Sequence, residues 1–212
     1  MGRIDKPLIT APKHESIVYT KVPRILIDIN NADNDLLIAY VSLRNDKGIF
    51  NYTSSKNPEL FSAISFKHNS SFCFIPKDVI EGENKISVRL YDNKNFSEET
   101  VIVFNYKEPL LNKVNVDDQL ITASNYKLLV NMANETLKAY NKEILDVTLP
   151  IANERKIYKN YFSEINNKMY DLNNWINENY PGLNRIRTKR LITNTIISRD
   201  IFNDLLSYIT EP

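Results

Sequence analysis

Two hydrophobic periods divide this chain. Up to about residue 108 apolar residues recur at every second position in short runs broken by turn residues, and beyond about residue 122 they recur every three to four. A period of two belongs to half-buried strands and a period near 3.6 to amphipathic helices, and neither pattern satisfies the other's geometry. The sequence therefore predicts an α+β, multidomain chain: a β-sandwich over residues 6–108, a linker over 109–121 and a helical domain over 122–212. With 212 residues, two small cores are the expected solution.

In the first region "RILIDIN" sends Ile25, Ile27 and Ile29 to one face. "KISVRLYD" sends Ile86, Val88 and Leu90 one way and Lys85, Ser87 and Arg89 the other. "LLIAYVSLR", "FSAISFKHNSSFCFIP" and "TVIVFNY" supply further runs, separated by Asx-rich and proline-containing turns. Pro7, Pro12, Pro23, Pro58, Pro76 and Pro109 fall at strand starts or between strands, where a missing N–H removes no ladder bond. About six or seven strands in roughly 100 residues is the spacing of a two-sheet sandwich. Gly82, Asn84, Ile86, Val88 and Asp92 form a G-x-N-x-I-x-V-x-x-x-D strand before a final V-x-V strand. That pair resembles the last two strands of disulfide-free immunoglobulin-like modules found in bacterial surface proteins and phage virion proteins. The resemblance implies an immunoglobulin-like β-sandwich.

Phe50, Tyr52 and Phe61 lie in "GIFNYTSSKNPELF", which reads as a long loop. Its aromatics either pack onto the sandwich or form a stacking surface for a sugar or another partner. The second reading defines an alternative function, a carbohydrate- or cell-surface-binding adhesin module that contacts host-surface glycans.

In the second region "TASNYKLLVNMANETLKAYN" places Tyr126, Leu129, Val130, Ala133, Leu137 and Tyr140 on one stripe, predicting a helix capped by Thr122 or Ser124. From about Pro150 to Asn179, Tyr158, Phe162, Ile165, Met169, Leu172 and Ile176 recur with alternating spacings of four and three. Trp175 and Tyr161 widen this seam. Such a repeat suits a long helix packing on a partner at a shallow angle, and an intramolecular bundle and self-association both satisfy it. Pro181 and Gly182 end that helix. A last helix starts at Ser198, with Ile197 and Phe202 flanking the cap. Thr122, Ser124, Tyr126, Leu129, Val130 and Ala133 align on Ser198, Asp200, Phe202, Leu205, Leu206 and Ile209. Duplication and the chance likeness of two amphipathic helices both account for that match.

Thr122, Ala123, Ser124, Tyr126 and Leu129 also carry a wider likeness. "LITASNYKLLVNMAN" resembles the I-T-A-S-D-[WYF]-N-x-L-x-x-x-I-N element of tail-fibre, baseplate and other virion proteins of tailed phages, with departures at Asn125 and Lys127. The resemblance covers about 15 residues and implies a virion structural protein of a phage or phage-derived tail. Such a protein is made in the host bacterial cytoplasm, assembles with other virion proteins and copies of itself, and carries no cofactor. The interface residues read from spacing and charge are the helical seam, Trp175 included, together with the basic run Arg185, Arg187, Lys189 and Arg190, which reads either as a solvated rim or as a patch for a protein partner.

The remaining residues point away from chemistry. The single Cys73 lies in the apolar run "SFCFI", the setting of a buried thiol rather than a nucleophile. The two histidines, His14 and His68, are too few for a His-rich metal site. Metal-protease, dithiol, nucleophile-elbow and phosphate-loop motifs do not occur in the sequence, so a non-enzymatic role is expected. Adjacent acids such as Asp117 and Asp118 read as solvated surface. Asp33, Asp35 and Asp92 sit in Asx-rich turns without the spacing of a calcium loop. Charge is balanced in both halves, 14 basic against 14 acidic residues in 1–110 and 13 against 12 in 111–212, so the footprint of a nucleic-acid binder is missing. Neither an apolar run of bilayer-spanning length nor a signal-like N-terminal segment occurs in the sequence, so no membrane partner is expected.

Overall fold

The computed structural model describes residues 4–30, 37–62, 70–109, 111, 123–145, 159–180 and 199–210. Among them, strands precede helices, and the chain is α+β. One sheet takes the antiparallel order β1-β3-β6 from β1 (Leu8–Ala11), β3 (Ile25–Ile29) and β6 (Ser70–Phe74). The other contains β2 (Ser16–Val18), β4 (Ile38–Asn45), β5 (Gly48–Thr53), β7 (Gly82–Tyr91) and β8 (Thr100–Tyr106) in the order β2-β8-β7-β4-β5. There β2 runs parallel to β8 while the other pairs are antiparallel. The N-terminal segment thus pairs first with one sheet and then with the other, and the cis Ala11–Pro12 peptide lies between its two strands.

Side-chain alternation sets the layers. Ile25, Ile27, Phe72 and Phe74 occupy one face of the three-stranded sheet. They meet Val41, Leu43, Ile86, Val88 and Phe104 from the five-stranded sheet in a common core. Ring centroids of Tyr52 and Phe74 stand 5.1 Å apart across it. Each such buried side chain contributes about 1.5–3 kcal/mol relative to exposure. The expected faces of β7 are observed: Ile86, Val88 and Leu90 are buried, while Lys85 and Arg89 are exposed and Ser87 is half-buried.

The outward face of the three-stranded sheet is covered at its middle, while Asp28 and Ser71 further along it are half-buried and Leu8 is exposed. Leu26 and Cys73, a cross-strand pair, point away from the inter-sheet core and are still fully buried. The helical part consists of α1 (Ala123–Ala139), α2 (Lys159–Asn179) and α3 (Arg199–Thr210), and the residues that follow α1 and α2 reach this sheet, Tyr140 and Asn141 at Arg24 and Thr10 and Tyr180 at Asp28. The uninterrupted apolar character of "RILI" and "FCFI" has its cause here, because a strand covered on both sides cannot alternate apolar with polar.

Main-chain and buried side-chain bonds join the two parts. The Arg24 N–H donates to the Tyr140 hydroxyl, which donates in turn to the Arg24 carbonyl, both at 3.1 Å and both buried. Lys13 N–H donates to the Ala139 carbonyl at 2.8 Å, and Asn141 Nδ2 donates to the Thr10 carbonyl at 2.8 Å. Tyr180, which follows α2, places its hydroxyl 3.5 Å from Asp28 Oδ1.

Inside the helical part, Tyr126 of α1 and Phe202 of α3 both pack on Phe162 of α2, at centroid distances of 5.3 and 6.4 Å. These two aromatics are equivalent positions of the weak sequence repeat. The paired aliphatics that follow them, Leu129 with Val130 and Leu205 with Leu206, are buried as well. The cap residues Thr122 and Ser198 lie outside the described residues.

Candidate functional site

A depression of about 540 Å³ lies on the outer face of the five-stranded sheet. It follows from register. Tyr40 and Ser42 occupy the outward half of β4's alternation. Their cross-strand neighbours are Thr53 and Asn51 on β5, and Arg89 and Ser87 on β7. Two successive rows of outward side chains therefore form a polar floor, with Asn57 extending it beyond β5.

Aromatic rings make one wall. Tyr40 meets Tyr91 edge-on at 6.0 Å and Phe96 at 5.1 Å, and Tyr91 and Phe96 lie 4.6 Å apart. Phe96 is 52% exposed and Tyr40 36%, yet the backbone beneath Phe96 is fixed. Asp92 Oδ1 accepts from the Lys94 and Asn95 N–H groups at 2.9 and 2.7 Å, and Asn93 supplies a positive φ of 71° for the turn. Ser97 donates its N–H to the Leu90 carbonyl at 2.8 Å and accepts from the Leu90 N–H at 3.0 Å. Those backbone bonds lower the Asp92 pKa from its ordinary value. At the rim Arg89 Nε stands 3.6 Å from Glu99 Oε1. With Lys56 also lining the groove, its charged side chains leave one cation in excess.

The aromatics singled out from sequence are elsewhere. Phe50 and Tyr52 belong to β5, whose alternation turns both inward, and Tyr52 is 7% exposed. Phe61 is buried against Phe72 and Phe74. The expected long loop is thus in part a hairpin strand after the turn at Gly48, whose φ of 136° no side-chain-bearing residue adopts comfortably. The Tyr52 hydroxyl donates to Asp78 Oδ2, and burial holds its phenol above the ordinary value, with Asp78 adding to the effect. Asn84 of the G-x-N-x-I-x-V stretch is fully buried and organises the same loop. Its amide donates to the Ile80 and Gly82 carbonyls at 2.8 and 3.0 Å, and its oxygen accepts from the Ile80 N–H at 3.1 Å. Gly82 takes a φ of 93° there. The motif residues therefore build a loop rather than a binding surface.

The helical seam is covered by its own chain. Phe162, Ile165, Met169, Leu172 and Ile176 are buried in the core shared with α1 and α3. Trp175 is half-buried beneath the Lys142 ammonium, whose Nζ lies 3.7 Å from the ring centroid. Burial lowers the Lys142 pKa. Tyr158, Arg185, Arg187, Lys189 and Arg190 lie outside the described residues, as do His68, Asp33 and Asp35.

Other polar groups have structural roles. His14 Nδ1 accepts from the Val103 N–H at 3.1 Å. Burial pushes the Cys73 thiol up to about 12, which leaves it protonated and unreactive. Among the described residues there is no group of three or more His, Cys, Asp or Glu side chains able to hold a metal ion. No described helix is long and apolar enough to cross a membrane.

No protein-family model matches the chain, and no curated protein matches it. Among solved structures it is similar to an endo-beta-1,4-mannanase from Thermotoga petrophila at 10% identity and a TM-score of 0.35, over 50% of this chain and 20% of that one. A cell-surface-expressed multi-modular chitinase from Paenibacillus sp. matches at 18% identity and 0.33, over 49% and 9%. A protein from Bacteroides thetaiotaomicron, solved by NMR, matches at 14% and 0.27, over 49% and 90%. The chain thus spans a fifth or less of the length of the two enzymes it matches. Likeness at this level identifies neither a family nor an activity.

Proposed function

We propose that the protein is a non-catalytic virion component of a tailed phage or phage-derived tail, in which a helical domain fixes an immunoglobulin-like domain to an assembly. The observation that carries this reading is the buried two-way bond between the Tyr140 hydroxyl and the Arg24 main chain. It joins the helical part to the sandwich at a point where separation would strand buried polar groups at a cost of about 1–3 kcal/mol each. A presented domain that must transmit position to an anchoring domain needs such a joint, whereas a flexible tether would not provide it. The T-A-S-N-Y likeness to tail proteins supports the same assignment. The immunoglobulin-like reading is supported by strand order, with the N-terminal segment shared between the sheets and β5 added at the edge beyond β4, where a variable-type sandwich carries its first extra strand.

In this reading the α2 seam holds the helical domain together, and contacts with other virion proteins and with copies of the chain fall to its outer surfaces. Mass spectrometry of purified particles, paired with sedimentation of the isolated protein, tests the assignment. The protein should be found in particles at a fixed ratio to other tail proteins. A chain that sediments as a monomer and is missing from particles would overturn it.

A further inference from the structure

We infer that the groove on the outer face of the five-stranded sheet is a binding site for a neutral saccharide. This goes beyond the virion assignment and does not depend on it. The argument starts from what the groove offers together. A volume of about 540 Å³ is in the range of sites for small ligands, roughly 300–1,000 Å³. Its wall is the Tyr40 and Phe96 rings, large apolar surfaces left open to solvent beside the polar residues of the groove. Its floor is hydroxyl and amide, Ser42, Ser87 and Asn51, groups that each donate and accept.

A sugar ring has the matching surface. One face carries C–H groups that pack on an aromatic ring, and its edge carries hydroxyls that both donate and accept. A lipid or an apolar helix would leave the amide and hydroxyl floor unsatisfied. A nucleic-acid strand calls for several cations along its phosphates, whereas Arg89 is paired with Glu99 and Lys56 is the one further cation in the lining. An extended peptide competes for the same floor, but it would gain most by adding to the edge of β5, not by lying across three strands as this groove does.

The wall is also preorganised. Phe96 is an isolated-bridge partner of Tyr91, and Ser97 and Asp92 fix the backbone on either side of it. Ordering an exposed aromatic on binding therefore costs little conformational entropy.

The test uses the full chain on an array of neutral and acidic glycans, followed by calorimetric titration with the neutral oligosaccharide that binds best. Expected are binding to at least one neutral glycan and a loss of tenfold or more in affinity for Phe96→Ala and for Asn51→Ala. Ile49→Ala, on the same face but outside the groove, should bind as the parent does. Circular dichroism melting of each variant separates lost binding from lost folding. Four results would overturn the inference: no neutral glycan bound, acidic glycans alone bound, affinity unchanged in both groove variants, or a peptide as the groove's occupant in a co-crystal.

Discussion

The two outer faces of the sandwich obey one geometric rule and end in opposite environments. On the three-stranded sheet the outward cross-strand pair is Leu26 and Cys73, fully buried under the helices. On the five-stranded sheet the outward pair of the central strands is Ser42 and Ser87, on the floor of an open groove. Strand geometry turns every second side chain outward on both sheets, so composition decides the outcome. An apolar outward pair requires cover, and the helical part supplies it. A polar outward pair leaves that part of the face free for a ligand. The largest test of this contrast is Leu26→Ala, which should cost about 2–5 kcal/mol, measured by urea denaturation. A cost near zero would mean that the helices do not bury this face in solution.

The joint between the layers gives the next effect. Tyr140→Phe keeps the ring but removes the hydroxyl that accepts from Arg24 N–H and donates to its carbonyl. Stability should fall by about 1–3 kcal/mol, and the Arg24 amide should exchange its hydrogen faster. An unchanged exchange rate would show that the joint opens without breaking this bond.

Asp28 sharpens the contrast through pH. Burial raises its carboxyl above the ordinary value of 3.8, against the lowering effect of the Tyr180 hydroxyl. With the folded value raised, the unfolded chain ionises first, so stability falls as pH rises from the unfolded value through the folded one. The penalty is complete above the folded value. Asp28→Asn should therefore stabilise the chain at pH 7 and lose that advantage as pH falls below the ordinary value. Denaturation midpoints of both proteins across that range would show it. An advantage that grows toward low pH would reverse the sign and mean that the Tyr180 contact outweighs burial.

Much of the fold was legible in residue spacing. Tyr126, Leu129, Val130, Ala133 and Leu137 read as one helical stripe and are buried together, and the alternation of β7 places its side chains as expected. The third layer was signalled only indirectly, by Leu26 and Cys73 interrupting the alternation with apolar residues. Phe50 and Tyr52 were misplaced because the strand around them is short and runs directly into the turn-forming stretch Ser54-Ser55-Lys56-Asn57-Pro58. Their separation by two, just after the Asp46-Lys47-Gly48 turn, was the signal for a hairpin. The groove was out of reach for a different reason. Tyr40, Asn51, Arg89 and Phe96 come from four segments, and periodicity gives the face of each strand but not which strands are neighbours. Register across β5-β4-β7 had to be seen.

The smallest expected effect completes the comparison. Asn51 is exposed and Ser87 half-buried on the polar face, so neither side chain supports a covering layer. Asn51→Ala and Ser87→Ala should each change stability by no more than about 0.5 kcal/mol, against several for Leu26→Ala at the corresponding outward position. Both faces belong to one cooperative sandwich, so a single denaturation experiment reads all three variants on the same scale. If Asn51→Ala proved as costly as Leu26→Ala, the outward floor would be part of the core's support, and its polar side chains would have a structural origin. If it proved neutral, nothing in folding would require an amide there. The polar floor would then call for a cause outside the fold, which is the condition a ligand site has to meet.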